Sequence, residues 1–111
     1  MNRLKPSYDS AAAGLPVLAH TMEVSTEEEV KTEYVVFCSA LARNSKQHCQ
    51  EVLKTRVVAL CAQCLKNGGE MLVEKTLHLL GNLAKHNDSA FEQFKQEGIL
   101  GLVGEAIERH P

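Results

Sequence analysis

The stretch Gly81-Asn82-Leu83-Ala84-Lys85 decides the fold, because Ser39-Ala40-Leu41-Ala42-Arg43 stands 42 residues before it. The same shift lays residues 28–69 over residues 70–111 without a gap. Identities are few: Glu28/Glu70, Leu41/Leu83, Ala42/Ala84 and Leu60/Leu102. Side-chain class is kept more widely, with Val30/Leu72, Val35/Leu77, Phe37/Leu79, Cys38/Leu80, Cys49/Phe91, Val52/Phe94, Val57/Ile99, Val58/Leu100 and Cys61/Val103 apolar in both copies. A fixed period of this size marks a chain built from stacked units. Applied once more, the shift sets Gly14-Leu15-Pro16-Val17-Leu18-Ala19 over residues 56–61 and 98–103, so the chain holds about two and a half copies.

Periodicity and breakers predict the elements within a copy. Val73, Leu77, Leu80 and Ala84 recur at helical spacing, and Leu72, Leu79 and Leu83 widen the stripe until much of the circumference is apolar. A helix of that kind over 70–86 is covered on more than one side. Asn87-Asp88-Ser89 breaks the pattern and offers an N-cap for a short helix around 89–96. Gly98 then turns the chain into an amphipathic helix over 99–109, through Ile99, Leu102, Val103, Ala106 and Ile107. The earlier copy predicts the same order: a long helix near 28–43, a break at Asn44-Ser45, helices near 46–54 and 56–66, and a break at Asn67-Gly68-Gly69. The unit is therefore a short, a medium and a long helix.

With that period, the segment Gly14-Leu15-Pro16-Val17-Leu18 and the closing Leu80-Gly81-Asn82-Leu83-Ala84, the chain resembles the armadillo family from about residue 14 onward. The family's repeats read Gly-x-Ile-Pro-x-Leu-Val and Leu-x-Asn-Leu-Ala at those places. The extra short helix with Phe91 and Phe94 sets the chain apart from two-helix HEAT units. The resemblance implies an all-α, right-handed α-solenoid with three helices per repeat. Its parts are a degenerate N-terminal repeat over 1–27, a full repeat over 28–69 and an incomplete one over 70–111. The chain is expected to belong to a longer solenoid or to self-associate through an uncapped end, because repeats bury their apolar faces only against neighbours. Two departures stand out: Arg56 replaces the turn glycine, and Ala40 replaces the asparagine of the next copy.

Composition narrows the function. The formal net charge of −2 comes from 12 basic and 14 acidic residues spread over both halves, which leaves no footprint for a nucleic acid. Neither a signal-peptide core nor an 18-residue apolar run occurs, so no membrane partner is expected and the location is taken as cytoplasmic or nuclear. Four cysteines, Cys38, Cys49, Cys61 and Cys64, are read as reduced thiols.

No enzyme is visible. Cys61-Ala62-Gln63-Cys64 has C-x-x-C spacing but falls inside a helix, where the dipole does not activate a thiol, and no second zinc-ligand pair follows. The repeat sets these cysteines over Val103 and Ala106, so they are read as core. His48 and Cys49 are adjacent on a helix and diverge by about 100 degrees, so they share no proton. Glu27-Glu28-Glu29 opens a helix and complements its dipole. Phosphate loops and paired catalytic carboxylates are missing, and neither a cofactor nor a metal is expected.

In armadillo proteins the long helices line a groove that grips an extended peptide or a partner helix. The resemblance therefore implies a non-catalytic protein–protein scaffold or adaptor. The positions leaving the apolar stripe are Glu74, His78, Asn82 and Lys85, with Thr32, Val36, Ala40 and Arg43 as counterparts. Asn82 matches the family asparagine that pairs with a ligand backbone. The long helices carry no Trp to hold lysine stems, so a segment of mixed polarity is expected, with Arg43 and Lys85 meeting its acidic side chains. Two other classes stay open: a spacer or cap in a cytoskeletal or ciliary assembly, and a zinc or thiol module at Cys61/Cys64.

Overall fold

A computed structural model describes residues 27–86 and 88–110. The degenerate repeat expected over residues 1–26 lies outside them, as do Asn87 and Pro111. Six helices and no strand make up the described residues: α1 (Glu28–Asn44), α2 (Lys46–Leu53), α3 (Val57–Asn67), α4 (Glu70–His86), α5 (Ser89–Glu97) and α6 (Ile99–Arg109). The order long, short, medium occurs twice, and the boundaries fall within a residue of those the periodicity predicts.

Local chemistry explains the breaks. Ser45 sits in extended conformation before α2, and its Oγ accepts from the His48 backbone N–H, which satisfies one of the helix's free donors. Gly98 takes φ +65, the left-handed region that closes α5, and its N–H bonds back to the carbonyls of Phe94 and Lys95. Where Arg56 replaces that glycine, α2 ends differently. Lys54 stays right-handed, the Thr55 N–H bonds the Val52 carbonyl, and Arg56 enters α3 at φ −86. Asp88 is already helical before α5, at φ −63 and ψ −27, and its own side chain makes no cap hydrogen bond.

Each long helix lies beside its counterpart. α1 packs along α4, α3 packs along α6, and α4 also touches α2 and α3. Val35, Cys38, Leu41 and Ala42 of α1 are buried with Leu72, Val73, Leu79, Leu80 and Leu83 of α4, and Val57, Val58, Leu60, Cys61, Cys64 and Leu65 of α3 join them in one core. A mutual stack of this kind is why the stripe on α4 had to be so wide.

Among the described residues, three residue pairs 40 to 44 positions apart are joined by side-chain hydrogen bonds between the two copies, and a bond from Glu28 ties the start of α1 to the residue before α4. The Gly69 N–H donates to Glu28 Oε1 at 2.7 Å, and Asn82 Nδ2 donates to Ser39 Oγ at 2.7 Å. Gln93 Nε2 donates to the Leu53 carbonyl at 3.3 Å, and the Arg109 guanidinium donates to the Leu65 carbonyl. Contacts at roughly the repeat length mean that one copy sits on the other by a near-constant step.

The counterparts are not equally buried. Phe91 and Leu100 belong to the apolar pattern common to the two copies, yet Phe91 is half exposed and Leu100 is exposed. In the first copy the second lies over Cys49 and Val58; no described element does the same for Phe91 and Leu100.

Candidate functional site

α1 and α4 are tied at both ends, by Glu28 to the Gly69 N–H and by Asn82 to Ser39. Around the Ser39 tie is a hollow of about 180 Å³. From α1 it is lined by Val36, Ser39, Ala40 and Arg43, which follow one another at i, i+3, i+4 and i+7 and so share one face. From α4 it is lined by Lys75 and His78. Val36 is 45% exposed, a large aliphatic group held open at the hollow's wall. Arg43 and Lys75 bring two cationic groups, and no carboxylate belongs to the lining. The hollow therefore offers an apolar contact flanked by positive charge, which suits an apolar side chain beside an acidic one.

Of the eight positions expected to face a groove, Val36, Ala40, Arg43 and His78 meet in this hollow. Asn82 adjoins it, half-buried, but its amide nitrogen is spent on α1, donating to both Ser39 Oγ at 2.7 Å and the Ser39 carbonyl at 3.3 Å. Thr32 is half-buried away from the lining, and its Oγ1 donates to the Glu28 carbonyl one turn back. Lys85 is exposed near the end of α4 and does not line the hollow. Glu74 stands on another flank of α4, in a depression shared with Glu70, Val73, Leu77 and His110.

Ser39 and Lys75 were missed. Lys75 is three residues before His78 and seven before Asn82, one helical face, whereas Glu74 belongs to the neighbouring flank. That spacing was the signal that could have found it.

The surroundings of the four cysteines favour the protonated thiol. All four are free and buried. Burial pushes the Cys38 thiol up from 9.0 to about 12 and drives Cys61 well above 9.0, with Cys64 and Cys38 adding to the shift of Cys61. Cys49 and Cys64 are raised by burial too. A nucleophilic or metal-binding cysteine needs the thiolate, and these surroundings favour the thiol. Among the described residues no group of three His, Cys, Asp or Glu side chains is placed to hold a metal ion. Cys49 Sγ points away from His48 toward the Leu83 carbonyl, at 3.7 Å. His48 is buried, and its Nδ1 lies 2.7 Å from Asn44 Nδ2; an amide nitrogen only donates, so Nδ1 accepts. The ring braces the α1–α2 corner.

Tyr34 is the one oddity of the core. Its hydroxyl is buried beside the Cys38 and Thr55 side chains without meeting either in ordinary hydrogen-bond geometry. Burial, then the neighbouring Cys38, pushes the phenol up.

Comparison of the chain with protein-family models, with curated proteins and with solved structures finds no match in any of the three. The armadillo resemblance thus rests on the residues of this chain alone.

Proposed function

We propose that the chain is an armadillo-type solenoid segment whose α1–α4 hollow holds an acidic, partly apolar segment of another protein, making the chain a non-catalytic scaffold or adaptor. The observation that carries this reading is the composition of the hollow: exposed Val36 and small Ala40 between Arg43 and Lys75. A side chain of the ligand would seat against Val36 and Ala40, and its acidic neighbours would meet the two cations. Exposed ion pairs contribute little each, about 0.2–1 kcal/mol, so the contact would be specific rather than tight. The stacking of counterparts supports the solenoid, since a constant step extends such a hollow along successive long helices. No helix of the described residues is long and apolar enough to cross a membrane.

The test is a peptide display selection on the intact protein, counter-screened on Arg43→Glu/Lys75→Glu. Enriched peptides are expected to carry Asp or Glu beside an apolar residue and to bind the variant at least tenfold more weakly. Peptides that bind both proteins equally would remove the hollow as the site.

A further inference from the structure

The chain contains its own measure of which surface is unpartnered, because each position of the second copy has a counterpart in the first. Val58 and Leu65 of α3 are 2% and 1% exposed; their counterparts Leu100 and Ile107 of α6 are 82% and 55% exposed. Cys49 is wholly buried, its thiol against the Leu83 carbonyl of α4, while its counterpart Phe91 is 50% exposed. The covering of the first copy is known: α4 lies against α1, α2 and α3 at once, and α6 lies against α3.

The seat of α4's first turn has a counterpart as well. In the first copy it is bounded by Glu28, Lys31, Cys64, Asn67 and Gly68, with Leu72 placed against it and the Gly69 N–H on Glu28 Oε1 at 2.7 Å. The corresponding depression is lined by Glu70, Val73, Glu74, Leu77 and His110, where Glu70 stands for Glu28, Val73 for Lys31 and His110 for Gly68. Even the helix ends before the two seats agree, since the N–H of Gly68 bonds the Cys64 carbonyl and that of His110 bonds the Ala106 carbonyl. Two carboxylates and an apolar floor are thus set where the first copy receives a helix N-terminus, whose free N–H groups favour negative charge.

We infer that the face formed by α4, α5 and α6 docks a partner helix of α4's own chemistry: long, apolar around much of its circumference, and starting with glycine at the Glu70 seat. The internal α1/α2/α3–α4 interface continues onto this face by the same step, which fixes both the kind of occupant and its direction. This inference does not depend on the hollow between α1 and α4.

The probe is a synthetic peptide of residues 68–86, added to the intact protein and followed by fluorescence anisotropy. Short helices are marginal alone, so binding is expected to be modest, with a dissociation constant on the order of 100 μM. Phe91→Asp and Glu70→Gln, both at exposed positions and checked by circular dichroism, should each weaken it tenfold or more. A peptide with Leu79, Leu80 and Leu83 changed to Asp should not bind. No binding below about 1 mM would overturn the inference. So would equal binding to the two folded variants, or a dimer that Phe91→Asp dissolves while the peptide leaves it intact, which would assign the face to a second copy of the chain.

Discussion

Asn82→Ala should destabilise the protein, and the amount follows from what its amide holds. Nδ2 donates to Ser39 Oγ at 2.7 Å and to the Ser39 carbonyl at 3.3 Å, across half-buried side chains of two helices. A net hydrogen bond is worth about 0.5–1.5 kcal/mol, and at this exposure water takes up part of what is lost, so the pair contributes about 1–2 kcal/mol. Alanine returns up to about 0.7 kcal/mol of helix propensity, which leaves a net loss of roughly 0.5–1.5 kcal/mol. With a urea m-value of about 1–3 kcal/mol/M, the unfolding midpoint falls by about half a molar. Ser39→Ala removes only the hydroxyl partner and gains propensity, so it should be nearly neutral. The double-mutant cycle isolates the Oγ bond at about 0.5–1 kcal/mol. An unchanged midpoint for Asn82→Ala together with a coupling near zero would refute the reasoning and leave the Asn82 amide free for a ligand. Substitution of Asn82 therefore reports on the tie between helices first and on any ligand second. Arg43 and Lys75 are the cleaner probes of the hollow.

Two glycines give opposite signs: Gly98→Ala, at φ +65, should cost about 1 kcal/mol, whereas Gly101→Ala, inside α6 with open space around a new Cβ, should stabilise by about 0.5–1 kcal/mol, both read from thermal midpoints. Tyr34→Phe removes a buried hydroxyl without a partner and should raise stability by about 1 kcal/mol; a loss in urea unfolding would mean the hydroxyl is satisfied. Thiol titration should find none of the four cysteines reactive in the native protein at neutral pH and all four after unfolding. The pH dependence follows from the same burial. Cys38 titrates near 9.0 unfolded and near 12 folded, so its contribution is whole below pH 9.0, shrinks as pH rises and is lost by about 12. The thermal midpoint should therefore decline above about pH 9, and the Cys38→Ala variant should show a shallower decline.

The helices were legible because their signals are local. Leu72, Val73, Leu79, Leu80 and Leu83 encircle α4, and Ser45, Gly68 and Gly98 mark the breaks. The copies were legible because a common packing step demands like side chains at like positions. What could not be read depends on direction. Glu74 and Lys75 are neighbours in sequence and both polar, and only the side on which α1 lies places Lys75 in the hollow and Glu74 on the opposite depression. The use of Asn82 depends on a serine 43 residues away, which no local pattern reveals. Apolar class alone also failed to separate Val58 from Leu100, since covering is a property of the neighbour.

The most direct measurement is amide chemical-shift mapping of the isotope-labelled protein with a peptide enriched by the display selection. The account predicts shifts concentrated at Val36, Ser39, Ala40 and Arg43 of α1 and at Lys75 and His78 of α4, abolished in Arg43→Glu/Lys75→Glu. Shifts centred on α2 and α5, or retained in that variant, would contradict it.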